Sequence, residues 1–148
     1  MAHVLKDYDG SCRNIHGHSY ELRMTVKGEP ICAPANPKNG MVMDLHDLKS
    51  LVNDNIISRL DYVFVASSVR PADFISIVRR DFKKIVVVDY QPTSENLIMN
   101  MASKLQPLLP AIVALHSIRL QETLGSYVVW KLDEIFVIVS LEDWCVKI

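Results

Sequence analysis

Residues 16–27 alternate so regularly that a half-buried strand is the structure that fits them. Tyr20, Leu22, Met24 and Val26 fall on one face, and Glu21, Arg23, Thr25 and Lys27 on the other. A period of two sends the apolar set to a core and the charged set to water. The same period puts the imidazoles of His16 and His18 side by side, while Gly17 leaves the opposite face bare. Such a His-x-His pair leaves two readings open: hydrogen-bonded polar groups on a sheet, or half of a catalytic zinc site built from neutral imidazoles. Just upstream, Cys12 is open to three roles, as a third metal ligand, a nucleophile or a base beside the metal. His3, in a short strand candidate over residues 1–5, supplies a third imidazole.

The rest of the chain reads as an α+β domain. Residues 28–40, with Pro30, Pro34 and Pro37, predict a long connection or a wide hairpin tip. Asp44 is a helix cap followed by Leu45, Leu48, Leu51, Val52 and Ile56 at helical spacing. A second helix is expected from Pro71 through Phe74, Ile77 and Val78, then a strand over residues 85–88. Thr93 or Ser94 caps a third helix, with Leu97, Ile98, Met101 and Leu105 as its buried stripe, and Glu95 reads as a helix-start charge. Residues 112–122 alternate again, which puts Ile112, Ala114, His116, Ile118, Leu120 and Glu122 on one face, and residues 127–132 return beyond Gly125 as a hairpin partner. The apolar stretch 135–141 is a further strand or an interface segment. This order suggests helices on one face of an antiparallel sheet.

Composition narrows the function classes. A net charge of −1 without a basic block argues against nucleic acid as a partner. No apolar run is long enough to span a bilayer, and the N-terminus lacks the apolar core of a signal peptide. Cys12, Cys32 and Cys145 are too few and too scattered for a disulfide framework, so a reducing cytoplasm is expected, with Cys32 and Cys145 as inert small hydrophobes. A hydrophobic fraction of 49% predicts further burial in an oligomer.

Several motifs occur in one order: Cys12…His16-Gly17-His18, Gly40-Met41-Val42-Met43-Asp44…Asp47-Leu48-Lys49, Leu60-Asp61, Pro92-Thr93-Ser94-Glu95-Asn96 and Glu122-Thr123. Together they resemble the 6-pyruvoyltetrahydropterin synthase family, over residues 3–130. The four-residue step from Cys12 to His16 is similar to the bacterial 6-carboxytetrahydropterin synthase branch of queuosine biosynthesis. The resemblance implies a tunnelling fold: a four-stranded antiparallel sheet with helices on one face, whose subunits join edge to edge into a trimeric barrel. Two trimers stack into a homohexamer, with active sites between subunits. It implies one pterin-synthase-like domain over residues 1–148, of which 133–148 is a tail beyond the recognised part.

The resemblance also implies the site. His3, His16 and His18 match the Zn2+ ligands, and Cys12 matches the catalytic thiol that takes a proton from the substrate side chain. Glu122 matches the residue that grips the pterin ring, and Thr93 and Thr123 match positions lining its pocket. The implied reaction is a lyase conversion of 7,8-dihydroneopterin triphosphate to 6-carboxy-5,6,7,8-tetrahydropterin, triphosphate and acetaldehyde. The alternative is triphosphate elimination to the 6-pyruvoyl product.

The chain departs from the family pattern in two places that matter. Only Met1 and Ala2 precede His3, where the family has a longer strand; either the chain starts late or the strand is short, which leaves the rigidity of the His3 ligand open. The relay pair, Asp then His in the family, is Asp61-Tyr62 here. A phenol ionises near ~10 and an imidazole near ~6.5, so Tyr donates protons but seldom accepts them near neutral pH. General acid–base catalysis contributes roughly a hundred- to ten-thousand-fold, so a slow enzyme or an impaired pterin-binding homologue is a further alternative. His46 and His116 are the candidate replacements, His116 because the alternation puts it on the face of Glu122.

Overall fold

A computed structural model describes residues 1–132 and the backbone of residues 138–141. The alternating segment is β3, Glu21–Gly28. It pairs antiparallel with β6, Val113–Thr123, which pairs with β7, Ser126–Lys131, and β7 with β8, Ile138–Leu141. This is a four-stranded antiparallel sheet in the order β3-β6-β7-β8, with one strand before the helices and three after them where two and two were expected. Residues 133–137 and 142–148, Cys145 among them, lie outside the described residues, so the expectation for the tail is met only by β8.

Helices cover one face of this sheet. In α1, Leu45–Val52, the Asp44 carboxylate accepts from the His46 amide at 2.8 Å, as the capping pattern requires. The helix widens into a π turn over Asn53–Ile57 and finishes as α2, Ser58–Leu60. The longest helix among the described residues, α4, covers Ser94–Leu105 and starts from Thr93, whose side chain accepts from the Asn96 amide. Its Leu97, Ile98, Met101 and Leu105 pack on Leu115, Ile118, Leu120 and Val128, joined by Ile56 from the π turn.

A second sheet corrects the antiparallel expectation. Its order is β2-β1-β4-β5, with β1 Ala2–His3, β2 His16–Gly17, β4 Phe64–Ser67 and β5 Ile85–Val88. β1 runs antiparallel to β2 but parallel to β4, and β4 runs parallel to β5. The connection from β4 to β5 is α3, Ala72–Asp81, whose Phe74 and Val78 pack against Phe64 and Ala66. Parallel strands need such a crossover, and a strand covered on both faces is apolar throughout rather than alternating. Phe64, Val65, Ala66 and Ser67 are all buried, so β4 carries no period-two signal.

The predicted face of β6 also needs correction. Val113 and Leu115 are buried, and Ile112 is exposed. Thr25 pairs with Ser117 and Val26 with Leu115, so His116 is an extra residue in a β-bulge. One extra residue shifts the alternation by one, which brings Ile118 and Leu120 inward after Val113 and Leu115. A second irregularity falls between Gln121, paired with Tyr127, and Thr123, paired with Ser126, leaving Glu122 as the bulged residue.

Among the described residues no helix is long and apolar enough to cross a membrane.

Candidate metal centre and adjoining cavity

His3 and His16 are register partners across β1 and β2, so their side chains leave the sheet on the same side. His18 follows two residues later, and its amide donates to the Met1 carbonyl at 3.1 Å, which folds the segment back on β1. The three rings converge. His3 and His16 have ring centroids 4.4 Å apart, and one nitrogen from each of the three rings lies within 4.8 Å of the others.

Backbone carbonyls fix which nitrogens face inward. His3 Nδ1 donates to the Pro92 carbonyl at 2.6 Å, and His16 Nδ1 donates to the Asn14 carbonyl at 2.8 Å. In the neutral rings both Nε2 atoms then carry lone pairs, and they face each other at 3.0 Å. A cation between them removes the repulsion. Burial pushes the His3 imidazole below its ordinary range, partly offset by the Pro92 hydrogen bond, and burial does the same to His18 against the pull of Glu122. That favours neutral rings and so a metal ion over a proton at the centre. His18 Nε2 is buried and makes no hydrogen bond, as an imidazole awaiting a metal would be. Three histidines so arranged suit a metal that keeps an open position.

His3 is not loosely held. It is 2% exposed, paired on both sides of β1 and anchored to Pro92, the residue before the cap of α4. The brevity of β1 is compensated by its central place in the sheet.

A cavity of about 250 Å³ adjoins the cluster, lined by His3, Cys12, Thr93, Ser94, Glu95 and Glu122, with Ser126 and Tyr127 at its hairpin side. Cys12 sits in a short 3-10 turn, Ser11–Arg13, tied back where its carbonyl accepts from the Leu5 amide at 3.0 Å. Glu95 lies in the first turn of α4, as expected, and also borders the cavity. Glu122 Oε1 accepts from the Tyr20 hydroxyl at 2.9 Å and lies 3.4 Å from His18 Nε2 and 3.8 Å from His3 Nε2. Burial, with the Glu122 carboxylate beside it, pushes the Tyr20 phenol up, so it stays protonated and donates.

Other expected site residues lie elsewhere. Thr123 is exposed, and its hydroxyl is engaged in the hairpin with Ser126 Oγ at 2.6 Å and the Gly125 amide. Asp61 and Tyr62 do not border the cavity of Cys12; with His18 and Tyr20 they line a larger, mainly apolar cavity of about 790 Å³. Tyr62 is 91% exposed at a positive φ of 50°, and the turn is held by Lys84, whose Nζ donates to the Ser58 and Asp61 carbonyls at 2.8 and 2.6 Å. His46 is exposed on α1, and His116 is in the bulge; neither borders the cavity, so the shared face expected for His116 and Glu122 is lost with the shifted register. Sequence reasoning assigned Tyr20 only to the core. Its position two residues after His18 on one strand face was the available signal.

A family model described as 6-pyruvoyl tetrahydropterin synthase matches residues 1–132. The chain belongs to the 6-pyruvoyl tetrahydropterin synthase family. It is 31% identical over 129 residues to a 6-carboxy-5,6,7,8-tetrahydropterin synthase of Haemophilus influenzae, covering 86% of this chain and 89% of the relative. It is 32% identical over 124 residues to the human 6-pyruvoyl tetrahydrobiopterin synthase, covering 82% of this chain and 71% of that protein. Both names are those of lyases. The fold is similar to the crystal structure of an uncharacterized protein from Wolinella succinogenes, with a TM-score of 0.66 at 21% identity, covering 89% of this chain and 92% of that one.

Proposed function

We propose that this chain is a zinc-dependent lyase converting 7,8-dihydroneopterin triphosphate and water to 6-carboxy-5,6,7,8-tetrahydropterin, triphosphate and acetaldehyde, in the cytoplasmic supply of queuosine precursor. The observation that carries the reading is the convergence of His3, His16 and His18 beside a cavity shared by Cys12, Thr93 and Glu122. When bound by those imidazoles, zinc supplies a Lewis acid for the oxygens of the substrate side chain. Glu122 accepts two parallel hydrogen bonds from the amino group and ring N–H of the pterin. Thr93 and Ser94 bound the ring from the start of α4. Cys12 takes the side-chain proton at its sulfur.

The cavity is smaller than the roughly 300–1,000 Å³ usual for small-molecule sites. A second subunit completing it fits both this size and the exposure of Tyr62. The proposed assembly is a homohexamer, a dimer of trimers, in which Asp61 and Tyr62 serve a neighbouring subunit's site.

The test is incubation of zinc-loaded protein with the triphosphate and identification of products by mass. Acetaldehyde with the 6-carboxy product supports the proposal; a 6-pyruvoyl product replaces it with simple triphosphate elimination. Tyr62 at the relay position favours one other reading, a pterin-binding homologue with little turnover. Tight pterin binding without product would establish that one. A native mass decides the hexamer.

A further inference from the structure

Tyr8 borders the cavity of Cys12 and Glu122, yet no core holds it. It belongs to neither hydrophobic cluster and is 43% exposed. Among the described residues its hydroxyl has no hydrogen-bond partner. A tyrosine without a polar partner or a packed core is placed by its backbone, and here the backbone is tightly specified.

The loop of residues 6–12 is tied at both ends. At its start the Gln91 side chain takes both backbone groups of Lys6. The Lys6 amide donates to Gln91 Oε1 at 3.1 Å, and Gln91 Nε2 donates to the Lys6 carbonyl at 2.6 Å. At its end the Leu5 amide donates to the Cys12 carbonyl at 3.0 Å. Between the ties Asp7 takes a positive φ of 57°, which Asp tolerates better than most residues, and the Arg13 amide closes on the Gly10 carbonyl at 3.1 Å. Tyr8 lies against Gly10 so closely that a Cβ there would stand 2.6 Å from Tyr8 Cε1. The ring therefore backs onto a residue without a side chain while it borders the cavity.

Glu122, Thr93 and Ser94 are polar groups that meet a flat ring at its rim. The face of such a ring calls for an aromatic wall. The cavity has two tyrosines, and the Tyr127 ring already carries the Arg119 guanidinium 3.8 Å from its centroid. We propose that Tyr8 is the stacking wall for the pterin ring, held at the cavity by the loop of residues 6–12 and given room by Gly10. This rests on the pterin-synthase reading and adds to it the residue that takes the face of the ring. Stacking tolerates any flat ring of that size, so Tyr8 supplies affinity while Glu122 reads the rim.

The test uses zinc-loaded full chain and neopterin, the oxidised and fluorescent ring with the unphosphorylated side chain. Its affinity is measured by fluorescence titration for wild type, Tyr8→Phe, Tyr8→Leu, Tyr8→Ala and Gly10→Ala. Tyr8→Phe should stay within about threefold of wild type, and Tyr8→Leu and Tyr8→Ala should bind roughly 5- to 100-fold more weakly. Gly10→Ala keeps the tyrosine but displaces its ring, and should bind at least about fivefold more weakly. Because Tyr8 is exposed, melting temperature and native mass should not move in the Tyr8 variants. Tyr8→Ala within about threefold of wild type overturns the assignment, and Tyr8→Leu at that level reduces it to mere bulk. Weaker binding together with a changed native mass also overturns it, in favour of a subunit contact. Gly10→Ala at wild-type affinity removes the part given to Gly10. If the wild type itself does not bind neopterin, the pterin reading fails and the stacking wall falls with it.

Discussion

Replacing His3 by alanine separates two jobs that one ring performs. Its Nε2 faces the metal cluster, while its Nδ1 satisfies the buried Pro92 carbonyl at 2.6 Å. Truncation leaves that carbonyl without a donor, which costs roughly 1–3 kcal/mol, and adds a small void in a site that is 2% exposed. The sum is about 2–4 kcal/mol in the metal-free protein. His16 is different. Its Nδ1 partner, the Asn14 carbonyl, is exposed, so water replaces the ring and His16→Ala should cost within about 1 kcal/mol. Both variants lose metal binding. The assay is urea unfolding of EDTA-treated wild type, His3→Ala and His16→Ala at one fixed protein concentration, since subunit association shifts apparent stability. With a slope of about 2 kcal/mol per molar urea, the His3 midpoint falls by roughly 1–2 M and the His16 midpoint by under about 0.5 M. Equal midpoints for the two variants, or a His3→Ala loss below about 1 kcal/mol, would refute the idea that Pro92 and His3 form a structural joint independent of the metal.

Three other expectations are quickly checked. Tyr62→His should raise turnover, by up to roughly a hundredfold, without moving the melting temperature, because the site is exposed and His tolerates positive φ; an unchanged rate removes the pair Asp61-Tyr62 from the mechanism. Thr93→Ala should cost about 1 kcal/mol through the lost cap on Asn96, and Thr93→Ser should stay near wild type in the same urea titration. In metal-free protein, burial holds His3 and His18 below the ordinary 6.5, so the unfolded chain takes up protons first as the pH falls. Stability is then full above about pH 6.5 and declines below it; urea midpoints that rise between about pH 7 and pH 5 would reverse the sign.

Legibility in the sequence followed physical cause. β3, α1 and α4 were readable because each has one wet face and one dry face, and because Asp44 and Thr93 mark their helix starts with cap chemistry. β4 was missed because Val63, Phe64, Val65 and Ala66 are dry on both faces and carry no period. The face of β6 was misjudged because the bulge at His116 is invisible to an alternation count. In the site, His16 and His18 stood out through residue type and spacing and Glu122 only through the family resemblance, whereas the Pro92 and Asn14 carbonyls that orient His3 and His16 are backbone groups with no sequence signature.

Pro92 grips His3, and Thr93 starts α4 one residue later, so the imidazole and the helix share a hinge pin. A close-packed helix moves as a rod. A repacking along that rod, at Met101 or Leu105, that displaced the helix would carry the Pro92 carbonyl with it and so turn the His3 ring.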